Sequence, residues 1–133
     1  MHFSQHGTYS IEQRKNILIV DAAGPFNEEF IQAYKVDLEK HLSKLKNQCW
    51  AQMMTLHGLS LLTPEAEKAL IFSLKLLRER GLAATAIIPR SSFLIVKEHI
   101  SRVYSLAGVR HGFFERESQA HDWLRNVLSE GVK

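Results

Sequence analysis

Apolar and polar residues alternate near the start of the chain, and this pattern predicts a β-hairpin. Tyr9 and Ile11 fall on one face of residues 7–13, as in a strand with one buried face. Residues 16–24 follow after a short polar connection and contain the run ILIV, which is apolar on both faces. The second strand is therefore expected to be more central in the sheet than the first.

A helical pattern begins after this hairpin. Asn27 is suited to be the N-cap, and two glutamates follow it near the positive end of the helix dipole. Apolar residues then recur every three or four positions in one stripe: Phe30, Tyr34, Leu38, Leu42 and Leu45. The pattern predicts a long amphipathic helix that ends near Asn47, followed by a short strand over residues 50–56.

A second helix is predicted to begin at Thr63 and Pro64. Thr63 is suited to cap it, and proline at the first helical position gives up no hydrogen bond. Gly81 can adopt the left-handed conformation that ends a helix, and a strand over residues 83–89 follows. The buried face of this helix is expected to contain Ala66, Leu70, Leu74 and Leu77.

A third helix, a last strand and a last helix complete the pattern. Ser91 or Ser92 can cap the third helix, which ends at Gly108. Residues 109–114 are predicted to form the last strand, and Ser118 is predicted to begin the last helix. The apolar faces of these two helices contain Val96, Ile100, Val103 and Ala107, and Trp123, Leu124, Val127 and Leu128.

The order of elements indicates the fold class. Strands that alternate with helices imply right-handed crossovers and parallel pairing, whereas the first two strands form an antiparallel hairpin. A chain of 133 residues is long enough for one core and fits one domain. We therefore predict an α/β fold over residues 1–133, a single-domain, mixed, mostly parallel five-stranded sheet with an edge hairpin and about four helices.

Composition and charge then restrict the function classes. The content of 45% hydrophobic and 23% charged residues is typical of a soluble globular protein. The net charge is +3, and the basic residues are interspersed with acidic ones rather than gathered in a dense basic face, so nucleic-acid binding is not expected. The single cysteine, Cys49, excludes an internal disulfide and is expected to be a buried thiol. No Cys/His spacing resembles a zinc site, and no cofactor is expected.

The amino-terminal residues and the apolar runs bear on location. Residues 1–10 lack the basic segment and the long apolar stretch of a signal peptide. The longest apolar runs fall far short of the roughly 20 residues that cross a bilayer. We therefore expect a cytoplasmic protein that does not span a membrane.

The candidate site is the sheet edge at the carboxyl ends of the parallel strands. Loops at such an edge lead into helix amino termini, whose amide donors are unpaired. Arg90 with Ser91 and Ser92 could hold an anion there, or Arg90 is solvated and the serines only cap the helix. Three loops are predicted to reach this edge, residues 21–27, 57–63 and 89–92.

Catalytic chemistry has weak support at this edge. Asp21 ends a strand, where a phospho-accepting receiver domain or a hydrolase places an acid, but the other groups of a receiver are not evident, so a turn or capping role is favoured. His57 lies near Ser60 and could activate a hydroxyl. Because no nucleophile elbow, phosphate-binding loop or metal-ligand cluster accompanies it, no catalytic residue is predicted, and a hydrolase using His57 is the third alternative.

The unusual property of the loop at residues 57–63 is its leucines. Leu59, Leu61 and Leu62 occupy positions that are expected to be exposed, and Phe93 follows the adjacent loop at the same edge. An apolar edge with a polar rim suits a protein partner or a lipid tail. Burial under the hairpin or in a homodimer contact is equally compatible.

Three segments carry a family resemblance, LKLLRERGLAATAIIP, YSLAGVRHGFFE and ESQAHDWL. With the order of elements, they resemble the SpoIIAA-like proteins of the STAS superfamily, which are related to the anti-sigma-factor antagonists and are also classed with Sec14-type lipid-binding folds. The resemblance runs from about Tyr9 to Leu128. It implies a small α/β domain that regulates by binding partners and is not an enzyme.

The resemblance also implies a phosphorylation site before the second helix, but the sequence of this chain differs from the family's motif there. In the antagonists, a serine in an Asp-Ser-Ser/Thr-Gly turn before the second helix is phosphorylated, which adds about −1.5 to −2 charges. This chain has HGLSLLTP there, with neither the aspartate nor the serine pair. Ser60 and Thr63 are the nearest hydroxyls and so the candidate sites, although Thr63 is already explained as a cap.

We therefore expect a non-enzymatic regulatory binding domain that engages a protein partner through the loops at residues 57–63 and 89–95. The alternative is a carrier or sensor of a lipid or other small apolar ligand, with an acidic head group near Arg90 and a tail between the helices. That alternative requires an enclosed apolar cavity beneath these loops. The candidate binding residues are His57, Leu59, Leu61, Leu62, Arg90, Ser91, Ser92 and Phe93.

Overall fold

The computed structural model describes residues 7–90 and 94–130. The strands are β1 (Thr8–Arg14), β2 (Ile17–Ala23), β3 (Trp50–His57), β4 (Leu82–Pro89) and β5 (His111–Phe113). The helices are α1 (Glu28–Leu42), α2 (Pro64–Glu79), α3 (Leu94–Ala107) and α4 (Glu117–Glu130), and a 3-10 turn over Ser43–Leu45 continues α1.

The five strands form one mixed sheet in the order β1-β2-β3-β4-β5. β1 pairs antiparallel with β2, and β2 to β5 are parallel to one another. The α/β fold class, with its mostly parallel five-stranded sheet, edge hairpin and four helices, is confirmed. No helix in the described ranges is long and apolar enough to cross a membrane.

Two apolar cores lie on opposite faces of this sheet. Successive side chains of a strand point to opposite faces, so Leu18 joins one core while Ile17 joins the other. The larger core lies under the first three helices and includes Val20, Phe30, Tyr34, Leu74, Ile100 and Val103. The smaller core lies under α4 and includes Met53, Ala84, Ala86, Ala120, Leu124 and Val127.

The local signals for the first two helices operate as predicted. The side-chain oxygen of Asn27 accepts a hydrogen bond from the amide of Phe30 at 3.0 Å. The hydroxyl of Thr63 accepts one from the amide of Ala66 at 3.2 Å. Gly81 has a φ of 104°, in the left-handed region that follows a helix end.

Two expectations differ in detail. The last strand is shorter than predicted and begins only at His111. The amide of Val109 is still bonded to the end of α3, where it donates to the carbonyl of Tyr104 at 3.1 Å. Cys49 is exposed rather than buried, since it lies in the turn before β3, where its carbonyl accepts a hydrogen bond from Asn16. The caps predicted at Ser91 and Ser92 lie outside the described residues.

Candidate functional site

The carboxyl ends of the central strands lie side by side at one edge of the sheet. Ala23 at the end of β2 pairs with His57 at the end of β3, and Leu56 pairs with Pro89 at the end of β4. The amide of Arg90 also donates to the carbonyl of Leu56 at 2.8 Å. The three predicted loops therefore begin at one edge of the sheet.

The first two of these loops are bonded to each other. The amide of Phe26 donates to the carbonyl of Leu61 at 2.8 Å, and the amide of Thr63 donates to the carbonyl of Phe26 at 3.0 Å. Gly24 lies so close to this contact that a Cβ at that position would be 2.7 Å from the Cα of Ser60. Residues 58–63 are thus fixed against the chain between β2 and α1.

The two candidate phosphorylation sites have different surroundings. Ser60 is fully buried, and its hydroxyl donates to the carbonyl of His57 at 2.9 Å. Thr63 is exposed, and its hydroxyl caps α2. The hydroxyl of Ser60 stabilises the turn, and a kinase would reach it only if the loop opened.

The ring of His57 contacts a carboxylate rather than a hydroxyl. Its Nε2 lies 2.9 Å from the Oδ1 of Asp21, and about half of each side chain is exposed. The register explains this contact, because Ala23 lies opposite His57 and Asp21 is two residues earlier on the same face. Sequence reasoning identified both residues but not their pairing. The hydroxyl of Ser60 is bonded to the backbone of His57 and not to its ring, which removes support for a hydrolase.

The leucines of this loop differ in exposure. Leu59 is 44% exposed, Leu61 is half-buried, and Leu62 is 9% exposed and part of the larger core. The expected exposure is thus found at Leu59 and is not found at Leu62, because Leu62 forms an isolated parallel bridge with Phe26 and turns inward. An apolar surface at this loop centres on Leu59.

The loop after β4 begins with Arg90, whose side chain already has partners in the chain before α4 and at the start of α4. The guanidinium of Arg90 donates to the carbonyl of Glu115 at 3.2 Å and lies 3.9 Å from the carboxylate of Glu117. Ser91, Ser92 and Phe93 lie outside the described residues. The helix that follows begins with two exposed apolar side chains, Leu94 and Ile95.

His99 of α3, which the sequence analysis did not single out, also holds the loop at residues 58–63. Its Nε2 accepts a hydrogen bond from the amide of Leu62 at 3.2 Å. Burial lowers the pKa of His99, an effect opposed by Glu67 and reinforced by Arg102. His99 lies three residues after the buried Val96, so its position beside the apolar face of α3 was the available signal.

Among residues 7–90 and 94–130, there is no group of three or more His, Cys, Asp and Glu side chains that could hold a metal ion. A small apolar chamber of about 40 Å³ lies beneath the first two loops. Phe26, Leu62 and Ile100 are among the residues that line it.

No protein-family model matches the chain, and no curated protein matches its sequence. The structure is similar to that of an uncharacterized protein of the DUF3478 family with a SpoIIAA-like fold from Shewanella loihica, with a TM-score of 0.63 and 22% identity, over 93% of this chain and 98% of that one.

A second solved structure is similar over almost the same length. It is an anti-sigma factor antagonist from Mycobacterium paratuberculosis, with a TM-score of 0.59 and 13% identity, over 90% of this chain and 94% of that one. Both likenesses extend over at least nine-tenths of this chain. This protein therefore has a SpoIIAA-like fold.

Proposed function

We propose that this protein is a non-enzymatic regulatory domain of the cytoplasm that engages a protein partner through the loops at the carboxyl edge of its sheet. One observation carries this proposal. Leu59 exposes 44% of its surface on a loop that is bonded to Phe26 and His99. An apolar side chain on a fixed loop loses little conformational freedom on binding, so its burial contributes directly to affinity.

The surroundings of Leu59 resemble those of a protein interface. Leu94 and Ile95, which are 66% and 58% exposed, begin the helix at the same edge. Asp21, His57 and Arg90 provide polar groups at the same edge of the sheet. An apolar centre with a polar rim is the usual arrangement of a protein interface.

The comparison with solved structures gives independent support. One of the similar structures is an anti-sigma factor antagonist, which is by its name a regulator of another regulatory protein. The SpoIIAA-like fold is therefore used in at least one protein for regulation. The regulatory role of this chain and the identity of its partner are our inference from that likeness and from the exposed leucine.

The partner surface can be tested with aspartate substitutions. Tagged protein is used to capture partners from lysate of the cells that make it, and each captured protein is purified and titrated by calorimetry. We expect Leu59→Asp and Ile95→Asp each to weaken one partner at least tenfold, because burying such a side chain stabilises by roughly 1.5–3 kcal/mol. Leu106→Asp is the matched control, since Leu106 is 55% exposed near the other end of α3.

The control should bind like the native protein, and melting curves should show that all three variants are folded. Unchanged affinity of every captured partner for Leu59→Asp and Ile95→Asp would show that this edge is not the binding surface.

Phosphorylation of Ser60 or Thr63 is a separate prediction, which is checked by measuring the intact mass of the protein after incubation with kinases. The exposure of Thr63 favours Thr63 over Ser60.

The alternative of a lipid carrier with an acidic head near Arg90 fits these residues less well. Arg90 is already engaged by Glu115 and Glu117, and the chamber beneath the loops, about 40 Å³, is too small for an acyl tail. Native mass spectrometry of gently purified protein would detect a bound lipid. The same spectrum reports whether the chain is a homodimer, which stays a prediction.

A further inference from the structure

A second and larger cavity lies between α1 and α2. Its volume is about 80 Å³. Apolar side chains from both helices and from β3 line most of it, among them Ile31, Leu38, Met54, Leu70, Leu74 and Leu77. Leu76 lines it and is 42% exposed, which places the opening between the outer surfaces of the two helices.

Two buried hydroxyls in this cavity have no hydrogen-bond partner among the described residues. They belong to Tyr34 of α1 and Ser73 of α2, and each residue is 6% exposed. A buried hydroxyl without a partner is costly, so native proteins rarely retain one without a reason. Here two such hydroxyls, from facing helices, line the same space.

The position of the Tyr34 hydroxyl is fixed by the packing of its ring. The ring centroid lies 5.5 Å from that of Tyr9 and 6.3 Å from that of Phe30. Burial raises the pKa of Tyr34, so the hydroxyl remains a protonated donor. Its orientation is therefore set before any ligand arrives, which lowers the entropy cost of binding.

β3 contributes a third polar group to the lining. Gln52 is 1% exposed, and its side-chain oxygen accepts a long hydrogen bond from the hydroxyl of Thr85 at 3.4 Å. The buried polar groups of the cavity are thus all neutral. The guanidinium of Arg80, which also lines the cavity, is paired with the carboxylate of Glu39.

From these observations we propose that the cavity between α1 and α2 binds a small, uncharged, mainly apolar molecule through a hydrogen-bonding group that Tyr34 and Ser73 recognise. An ionised group beside Tyr34 and Ser73 would lose its hydration without meeting a buried counter-charge, because the charged residues of the lining, Lys35, Glu39 and Arg80, are only half-buried or exposed. A neutral hydroxyl or carbonyl group would offer these hydroxyls the acceptor that they lack. A pocket that is mostly apolar, with a few convergent polar groups, is the usual form of a small-molecule site.

The size of the ligand follows from the volume. The chamber of about 40 Å³ beneath the edge loops shares five lining residues with this cavity, Ile31, Tyr34, Met54, Leu70 and Tyr104. Even taken together, the two spaces are smaller than the roughly 150 Å³ of a protein cavity that holds benzene. The ligand is therefore no larger than one aromatic ring and is not a long acyl chain.

This inference concerns the interior between two helices and does not depend on a protein partner at the edge loops. Its test uses phenol and toluene as probes, because they have nearly the same shape and differ in one hydroxyl. Each is titrated into the native full chain and followed by amide resonances in NMR spectra. We expect phenol to shift the amides of residues 31–38 and 70–77 in a saturable manner.

Substitutions at Tyr34 and Ser73 distinguish recognition of the probe by the two hydroxyls from mere filling of the cavity. Tyr34→Phe and Ser73→Ala should each weaken phenol about fivefold, as expected for one neutral hydrogen bond, and leave toluene unchanged. Ser73→Val should weaken both probes, because its methyl groups occupy the cavity. Ser129→Ala is the matched control, since the Ser129 hydroxyl bonds to its own helix on the other face of the sheet and should not affect either probe.

Three outcomes would overturn the proposal. In the first, neither probe shifts the amides of these helices up to its solubility limit, so that water satisfies the two hydroxyls. In the second, Ser73→Val binds both probes as the native protein does, which would place the probes elsewhere. In the third, the ratio of phenol to toluene affinity is the same in Tyr34→Phe and Ser73→Ala as in the native protein.

Discussion

At the scale of single residues, the imidazole of His99 connects α3 to the edge loop through the backbone of Leu62. The Nε2 atom accepts the amide hydrogen of Leu62, so it must carry no proton of its own. Burial lowers the pKa of His99 and favours this neutral form. Protonation of the ring would therefore remove one of the contacts that hold Leu59 in place.

This gives a prediction for the pH dependence of stability. The unfolded chain binds a proton at His99 near its ordinary pKa of about 6.5, whereas the folded chain does so only at lower pH. The contribution of His99 to the free energy of unfolding is thus constant above pH 7 and decreases as the pH falls below about 6.5. Urea unfolding at pH 7.5, 6.5 and 5.5 measures it.

The comparison variant is His99→Gln, whose side-chain oxygen can accept the same amide hydrogen but does not titrate. The native protein should lose more stability than this variant between pH 7.5 and 5.5. Identical pH profiles for the two proteins would show that His99 does not titrate differently on folding.

Residue-level features were predictable where they depend on near neighbours in the sequence. The caps at Asn27 and Thr63 are confirmed, because a cap needs only the amides two or three residues later. The contact of His99 with Leu62 joins residues 37 positions apart in the sequence, so the hydrophobic periodicity of a single element could not predict it. The same holds for the inward turn of Leu62, which depends on its bridge to Phe26.

At the scale of elements, the loop at residues 58–63 derives its shape from its neighbours. It has two backbone hydrogen bonds to Phe26, one contact with His99 and a buried serine at its centre. Gly24 permits this close approach, because a side chain there would meet backbone atoms of Leu59 and Ser60. The loop and the segment between β2 and α1 therefore act as one unit.

Gly24→Ala should separate the two segments. The added Cβ would lie 2.7 Å from the Cα of Ser60 and 2.8 Å from the carbonyl oxygen of Leu59. Backbone atoms cannot move aside as a flexible side chain can, so we expect a loss of about 1–3 kcal/mol in the free energy of unfolding. Hydrogen exchange should accelerate at the amides of Phe26 and Thr63, whose hydrogen bonds join the segments.

Gly58→Ala is the comparison for this prediction. A Cβ at Gly58 meets nothing within 4 Å, but its φ of 66° is unfavourable for alanine and costs roughly 1–2 kcal/mol. We expect the amides of Phe26 and Thr63 to stay protected in that variant. Equal exchange in both variants would show that loss of stability alone, and not the clash, loosens the loop.

The order and type of the elements were predictable, because each follows from a periodicity within about fifteen residues. The hairpin, the alternation of helices and strands and the mostly parallel sheet are all confirmed. The pairing of Asp21 with His57 was not predicted, since it depends on the register of β2 against β3. The partner role of the edge loops, and of Ser91, Ser92 and Phe93 within them, stays a prediction.

At the scale of the whole molecule, one sheet serves two cores that differ in packing. The face under α4 has small side chains that let the helix pack closely, since Ala84 and Ala86 of β4 are fully buried there. The face under α1 and α2 retains the cavity that contains Tyr34 and Ser73. The hydrophobic pattern predicted Tyr34 in a buried stripe, but it contains no information on whether a buried hydroxyl finds a partner.

Because β3 and β4 contribute to both cores, damage on one face should lower the stability of the entire fold. Leu124 of α4 is fully buried in the smaller core. Leu124→Ala should reduce the free energy of unfolding by about 2–5 kcal/mol. We expect one transition in urea, with the near-ultraviolet and far-ultraviolet circular dichroism signals changing together.

Leu106→Ala is the matched control for this substitution, because Leu106 is 55% exposed on α3. A surface substitution of this kind should change stability by less than about 0.5 kcal/mol. If Leu124→Ala instead gave two transitions, with α4 lost before the sheet, the smaller core would be an independent layer. A single transition means that α4 stabilises β3 and β4, and through them the edge on which Leu59 and Ile95 are presented.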